Sequence, residues 1–575
     1  MNAPTGHLNE NVTGEIMAEA KKIKASDLFV KCLEAEGVTH IFGIPGEENA
    51  DVMISLIESP IEFVLCRHEQ AAAFMADVYG RLTGKAGVCL ATLGPGATNL
   101  VTGVADANMD RAPVVAIIGQ ASTKRLHKES HQNMDAIAMF RPISKWAQTI
   151  FSPGNIPEVV RKAFKLAEAE KPGACVIELP EDLAEEFVAG SPLAVGEKLR
   201  RPAADHKAVT RAVDVIANAK NAVIFAGNGA VRKRAAEQLQ CLAEKTGMGV
   251  INTFMGKGAI PLDDPHCLFT LGLQSRDHMN AAIDAADTVI AVGYDLVEYA
   301  PSFWNTKGDK TIVHIDFTAA EIDESFPVEV DIVADIADAV WQINEELDAR
   351  YGDKLPLFDI TERATLRQAM HEDIMAQESD TGFPVKPQRI LADVRKFLGP
   401  DDILLSDVGA HKMWISRYYQ CYRPNTCLIS NGFCTMGFAF PGSMGAKFAL
   451  PDRKILSING DAGFMMNMQD IETAVRLKKN VVAMIWLDGE YGLIKWKQQN
   501  GFDGRHSDLK FTNPDFQALA ESFGAWGRTL ESADEITPAL EEAFKQEGPA
   551  LIAIPVDYAE NMKLTERLGN LNFTI

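Results

Sequence analysis

Residues 454–490 read KILSINGDAGFMMNMQDIETAVRLKKNVVAMIWLDGE, and this stretch decides the fold. KILSI is a strand, Asn459-Gly460-Asp461-Ala462-Gly463 a glycine turn and MQDIETAVRLKK a helix. VVAMIWL is a second strand, and Asp488-Gly489-Glu490 an acidic turn. A parallel strand–helix–strand unit carries both turns to the same carboxyl edge of the sheet. Asp461 and Asp488 are therefore expected to meet around one cation. The turn at Gly463 opens a helix, so backbone N–H groups point at whatever anion the cation holds. Hard carboxylate oxygens suit Mg²⁺. The stretch thus reads as a seat for Mg²⁺ and a diphosphate. Each part alone is ordinary, since Gly-Asp and Asp-Gly are common turn pairs; the spacing and the flanking strands give the reading its weight.

The 575 residues allow about three to four domains. With 47% hydrophobic and 23% charged residues, the composition is that of a globular protein. A net charge of −23 argues against nucleic acid or an anionic membrane as partner. The nine cysteines are scattered, odd in number and without a CxxC pair, which predicts reduced thiols and a cytoplasmic location. The N-terminus lacks a secretory apolar core, and no run of about 18 uncharged apolar residues predicts a membrane span.

Outward from the deciding stretch, the same alternation of strands and helices fills the chain. Residues 1–22 are polar and read as a flexible tail. In 23–190, VTHIFGIPG, EFVLCRHE, GVCLATLGPGATNL, APVVAIIGQ and ACVIELP supply strands. A linker rich in Pro, Ala and Gly follows (190–202), then a second α/β block, 203–350. There GNGAVR, after a strand, is a plain turn before it is a dinucleotide fingerprint. Residues 351–387 read as a charged linker with one helix, and 388–575 as a third α/β block. The expected fold is α/β: three doubly wound, open parallel-sheet domains.

In the first block Glu69 ends a strand and starts the helix AAAFMAD. A carboxylate there is a helix cap as readily as a site residue. The turns Gly43-Ile44-Pro45-Gly46 and Gly94-Pro95-Gly96-Ala97-Thr98-Asn99 are expected on the same sheet edge.

GIPG, RHE (Arg67–Glu69), GPGATN, Gly460-Asp461 and Asp488, in this order and spacing, resemble the acetohydroxyacid synthase group of thiamine-diphosphate enzymes. The metal turn departs from that pattern: Leu487-Asp488 stands where an Asn-Asn pair is usual. That substitution, with Ser130–Asp135 (SHQNMD), Tyr294-Asp295 and the tail IPVDYAEN, resembles the catabolic, flavin-free acetolactate synthases. The resemblance implies that the first domain binds the aminopyrimidine, the second is central, and the third binds the diphosphate.

For the residues it implies the following. Asp461, Asp488 and the backbone carbonyl of Glu490 hold Mg²⁺. Glu69 is catalytic and hydrogen-bonds N1′ of the aminopyrimidine, with Pro45, Pro95 and Asn99 around it. Cys434 accepts the 4′-amino group through its carbonyl, and Met436 is the apolar wedge under the cofactor's bend. Gly409, Ala410 and His411 match a Gly-Gln-His diphosphate contact in which Ala410 replaces the polar residue. Ala462, Gly463, Tyr491 and Leu493 complete the cofactor contacts. Gln132 and Lys497 are candidate substrate residues. Lys497 falls nine positions after the metal turn, where relatives that prefer 2-oxobutyrate carry tryptophan; here Trp496 comes one residue earlier, rotated by about 100° on a helix.

The resemblance also implies an activity. Pyruvate is decarboxylated and its two-carbon unit joined to a second 2-oxo acid, giving 2-acetolactate. The active sites lie at the interface of a homodimer or homotetramer. Rival readings are a simple 2-oxoacid decarboxylase, another carboligase, an oxidase, or a non-catalytic homologue. A decarboxylase usually carries paired histidines; His68 is expected to turn away from the site, and no other His pair is seen. FAD is not expected, because Gly293-Tyr294-Asp295-Leu296-Val297-Glu298 stands where flavin-dependent relatives carry an Arg-Phe-Asp-Asp-Arg run.

Overall fold

The computed structural model describes residues 22–196, 201–232, 234–272 and 278–561. The N-terminal tail up to residue 21, part of the first linker and the last 14 residues of the third block lie outside the described residues.

Three six-stranded sheets are present, all parallel. The first runs in spatial order Glu62–Leu65, His40–Gly43, Gly87–Ala91, Val114–Gln120, Ala174–Pro180, Trp146–Thr149. The third runs Cys427–Ile429, Ile403–Ser406, Ile455–Gly460, Val482–Leu487, Ala550–Pro555, Trp526–Thr529. Numbered along each domain, both follow the order 2-1-3-4-6-5. The central sheet follows 3-2-1-4-5-6: Cys267–Thr270, Gly249–Asn252, Ala222–Ala226, Thr288–Val292, Thr311–Asp316, Val328–Val333. In every sheet the order reverses between the first strand and a later one, which opens a crevice at the carboxyl ends.

The sequence pattern explains these strands. Runs such as VVAIIGQ and ACVIELP are buried along their whole length, because helices cover both sheet faces. Alternate residues of one strand enter different cores: Val114, Ala116 and Ile118 face one side, Val115 and Ile117 the other. A short antiparallel pair, Ile23–Lys24 with Phe187–Val188, ties the two ends of the first domain together.

The first and third domains share one apolar core. Helix Glu69–Thr83 packs on helix Ala439–Ala449, and Phe74 meets Phe438 edge-on at 5.6 Å between ring centroids. The approach is so close that a Cβ on Gly445 would stand 2.2 Å from the Met75 carbonyl oxygen. The segment 351–387 is packed rather than loose. Its helix Thr361–Met375 is fastened to the central sheet by Arg363, which donates to the Ala222 carbonyl at 2.7 Å. It reaches the third domain through Tyr418, whose hydroxyl donates to Asp373 at 3.2 Å.

Candidate active site

The two acidic turns converge as their spacing predicts. Asp461 begins helix Asp461–Asn467 at the end of strand Ile455–Gly460. Its Oδ2 accepts from the backbone N–H of Asp488 (3.2 Å) and of Gly489 (2.8 Å), and from Asn513 Nδ2 (2.7 Å). Its Oδ1 accepts from Ala462 N–H at 2.8 Å. Burial, then the neighbouring Asp461 charge, pushes the Asp488 carboxyl up to about 7. Two carboxylates held this close are the arrangement a hard divalent cation stabilises. No cluster of three or more His, Cys, Asp or Glu side chains is set to hold a metal among the described residues, so further ligands would be backbone or ligand oxygens. The Glu490 carboxylate is turned away to Lys495, with which it pairs at 2.5 Å. The Glu490 carbonyl accepts from Gly492 N–H at 2.9 Å.

Beside this pair lies a seat that fits a diphosphate. Gly409 precedes helix Ala410–Tyr418. The His411 ring is wedged between two glycines: a Cβ on Gly409 would stand 2.7 Å from its Cε1, and one on Gly460 3.1 Å. Burial drives the imidazole pKa down to about 3, so the ring is neutral. Its Nε2 is buried without a hydrogen-bond partner, and a buried orphan polar atom is one that a ligand satisfies. Gly463 sits against Asp407, where a Cβ would be 2.3 Å from Oδ2.

Asp407 and Asn513 escaped the sequence reading. Asp407 accepts from the N–H groups of Gly437 and Phe438, both at 3.1 Å, and so fixes the far end of the Cys434–Met436 segment. Asn513 lies 52 positions from Asp461, with no local pattern to flag it. Cys434 has a left-handed backbone, φ 64°, and is exposed; Met436 is half-buried.

In the first domain Glu69 is buried and begins helix Glu69–Thr83. Its Oε2 accepts from Asn99 Nδ2 at 2.9 Å. Its Oε1 lies 3.4 Å from where a Cβ on Gly96 would stand, so the Pro95-Gly96 turn leaves that oxygen open. His68 is the helix cap instead: its Nδ1 accepts from Gln70 N–H at 3.0 Å. Pro45 is exposed in its turn. Gln132 is exposed, with φ 55°, and lies over the Gly94 turn.

The remaining candidates divide. Tyr491 is exposed and meets Phe511 ring to ring at 5.3 Å. Leu493 packs against the third-domain core, and Trp496 is buried in it. Lys497 is exposed on helix Gly492–Gly501.

The central crevice is filled from within. Glu298 accepts from Asn228 N–H (3.0 Å to Oε1, 3.1 Å to Oε2), from Asp295 N–H (3.0 Å) and from Thr253 Oγ1 (2.5 Å). These donors surround the point where the strand order reverses, beside Gly227 and Gly293. In this strand order that point is the usual seat of a dinucleotide's phosphates.

Two acidic strand ends, an orphan imidazole and a glycine-lined helix start could hold a diphosphate with a cation, the chemistry of the thiamine pyrophosphate enzymes. Matching families cover all three domains. The N-terminal TPP binding domain of thiamine pyrophosphate enzymes spans 23–139, their central domain 209–343, and their C-terminal TPP binding domain 407–554. The acetolactate synthase of Bacillus subtilis is 36% identical over 547 residues, covering 94% of this chain and 95% of its own. The catabolic acetolactate synthase of Raoultella terrigena is 36% identical over 544 residues, 94% of this chain and 97% of its own. A probable acetolactate synthase large subunit of Methanocaldococcus jannaschii is 34% identical, over 96% of this chain and 94% of its own. The chain belongs to the acetolactate synthase family of thiamine pyrophosphate enzymes.

Proposed function

We propose that the protein decarboxylates pyruvate and joins the two-carbon unit to a second pyruvate, releasing 2-acetolactate. It does so with thiamine diphosphate and Mg²⁺ and without flavin. The observation that carries this is the pairing of Asp461 with Asp488 beside the unpartnered Nε2 of His411. Bound thiamine diphosphate supplies the carbon nucleophile and electron sink that decarboxylation of a 2-oxo acid requires.

The chain's own groups have distinct tasks. Asp461, Asp488 and the Glu490 carbonyl would hold Mg²⁺; Gly463 N–H and the His411 ring would line the phosphate seat, with Ala462 N–H fixing the Asp461 carboxylate. Glu69 is held at Oε2 by Asn99 and holds or passes a proton at its open Oε1. Cys434 presents its carbonyl and Met436 its thioether to the ring end of the cofactor. Gln132, over the Gly94 turn, is the proposed substrate contact, whereas exposure favours a solvated role for Lys497.

The flavin-free reading is supported by Glu298, which fills the phosphate seat of the central domain with the chain's own carboxyl group. An active site completed by a second copy is supported by exposed apolar residues at the metal turn: Met465 and Met466, 38% and 43% exposed, lie on the helix that Asp461 starts. Glu69 of one subunit would then face the Asp461 site of its partner, in a homodimer or homotetramer. Free cysteines accord with a cytoplasmic location, and no helix among the described residues is long and apolar enough to cross a membrane.

The test is product identity. Purified protein given pyruvate, thiamine diphosphate and Mg²⁺ should release one CO₂ per 2-acetolactate formed. Acetaldehyde as the main product would make it a simple decarboxylase.

A further inference from the structure

Ser430 is gripped from two sides by buried ionisable groups of different domains. On one side Lys412, 4% exposed, donates from Nζ to the Ser430 carbonyl at 3.0 Å and stands 3.0 Å from Cys434 Sγ. Its other neighbour is the Phe254 ring, 5.8 Å away, and no carboxylate is within ion-pair distance among the described residues. On the other side Asp106, fully buried, accepts at Oδ1 from Ser430 Oγ (2.6 Å) and from Thr435 Oγ1 (2.8 Å). Ser430 Oγ accepts in turn from Thr435 N–H at 2.8 Å. Arg81 lies 3.7 Å from Asp106 but is shared with Asp77 and Asp110.

An ammonium buried without an anionic partner is unfavourable, so Lys412 depends on its bonds to the Ser430 carbonyl and Cys434. The segment so fastened includes Cys434, whose φ of 64° a side chain adopts at a cost that bonds on both sides must offset. The fastening also crosses domains. Asp106 lies on helix Pro95–Met109, the same helix whose Asn99 holds Glu69. Lys412 lies on helix Ala410–Tyr418, one residue after His411.

We propose that Asp106 and Lys412 are positioning residues that, through Ser430 and Thr435, set where the Cys434 carbonyl and Met436 stand for the ring end of the cofactor. This rests on the placement of Cys434 and Met436 under the cofactor given above. Neither residue touches the phosphate seat, which is built from Gly460, His411 and Asp461. Loosening the grip therefore weakens binding of the rings and spares binding of the phosphates.

The test is equilibrium titration, without turnover, of the full-length protein with Mg²⁺ and two probes: thiamine diphosphate and inorganic pyrophosphate. Lys412→Met, which loses one buried hydrogen bond, and Asp106→Ala, which loses two, should each raise the Kd for thiamine diphosphate by about tenfold or more. Both should shift the Kd for pyrophosphate by less than about twofold. Asp106→Asn, which keeps the Oδ1 acceptor, should restore most of the affinity. Thr435→Val removes a single bond with little change of shape and should give a smaller loss of the same selectivity. Equal weakening of both probes would make the grip a matter of folding and overturn the proposal, as would unchanged thiamine diphosphate binding in all variants. Wild-type protein that bound pyrophosphate but not thiamine diphosphate would instead refute the placement of the ring end, and the grip would fall with it.

Discussion

Replacing Glu298 should uncouple the stability of the central domain from pH. Burial first, then the charge of Asp295, raises the Glu298 carboxyl from 4.5 to about 8. The folded protein thus keeps this proton up to about pH 8, while the unfolded chain releases it near 4.5. The native state binds more protons across that window, so its stability falls as pH rises. Between pH 6 and 8 the loss from this one group is about 2 kcal/mol, because each pH step of one costs about 1.4 kcal/mol while the folded state alone holds the proton.

Glu298→Gln removes the titration but keeps the shape. Its carbonyl can accept from Asn228 and Asp295 N–H in place of Oε1, and its amide can donate to Thr253 Oγ1 in place of Oε2. Only the 3.1 Å contact of Asn228 N–H is lost. Glu298→Ala strands the donors of Asn228, Asp295 and Thr253, at about 1–3 kcal/mol each. Urea unfolding of wild type and both variants at pH 6 and pH 8 reads this directly, because other titrations cancel in the difference. Gln should gain on wild type by about 2 kcal/mol from pH 6 to 8, and Ala should be the least stable at both. A wild-type-to-Gln difference that stays constant with pH would refute the reasoning.

Four further outcomes are expected. Glu69→Gln should still bind thiamine diphosphate but turn over about 10²–10⁴-fold more slowly; near-normal exchange of the cofactor C2 proton in the variant would sink the assignment. Asp461→Ala and Asp488→Ala should weaken Mg²⁺ and cofactor binding together, since the diphosphate loses its counter-ion; unchanged titrations of both would show that the turns do not share a site. Purified protein should carry no flavin, and a stoichiometric FAD released on unfolding would contradict the role given to Glu298. With pyruvate and 2-oxobutyrate at equal concentration, acetolactate should be a major product; a large excess of 2-aceto-2-hydroxybutyrate would show that the helix bearing Lys497 selects the longer acceptor.

Much of this was legible in the sequence, and what was missed has a physical pattern. Most buried strands announced themselves as continuous Val, Ile, Leu and Ala runs; Cys267–Thr270, buried throughout but only four residues long, did not. Four of the six edge strands did not: Trp146–Thr149, Cys267–Thr270, Val328–Val333 and Trp526–Thr529. Those ending the first and third sheets, WAQT and WGRT, are only half-buried throughout, and VEVDIV alternates with exposed acids. Sequence patterns favour strands covered on both faces. At the site, Asp461 and Asp488 were readable because each sits at a strand end with glycine beside it, and Glu69 because it starts a helix just after a strand. Asn513, Asp407, Asp106 and Lys412 were not, because their importance lies in contacts across 18 to 329 positions of chain. Glu298 was quoted for the arginines absent around it; that it fills the central crevice itself needed the fold.

The core common to the first and third sheets sets how the molecule can come apart. Phe42, Phe74 and Val114 from one end of the chain and Phe438, Phe464 and Leu551 from the other belong to a single apolar cluster. The central sheet has clusters of its own. It meets its neighbours through polar links, such as Arg111 and Lys171 on Asp295 and Lys257 on the Ser416 carbonyl, and through Phe254, which joins the third domain's apolar core. By sequence the chain has three domains; by packing, its two ends are one piece, each with a core of its own and one held in common. A core held in common predicts that the ends unfold together, although some 200 residues separate them.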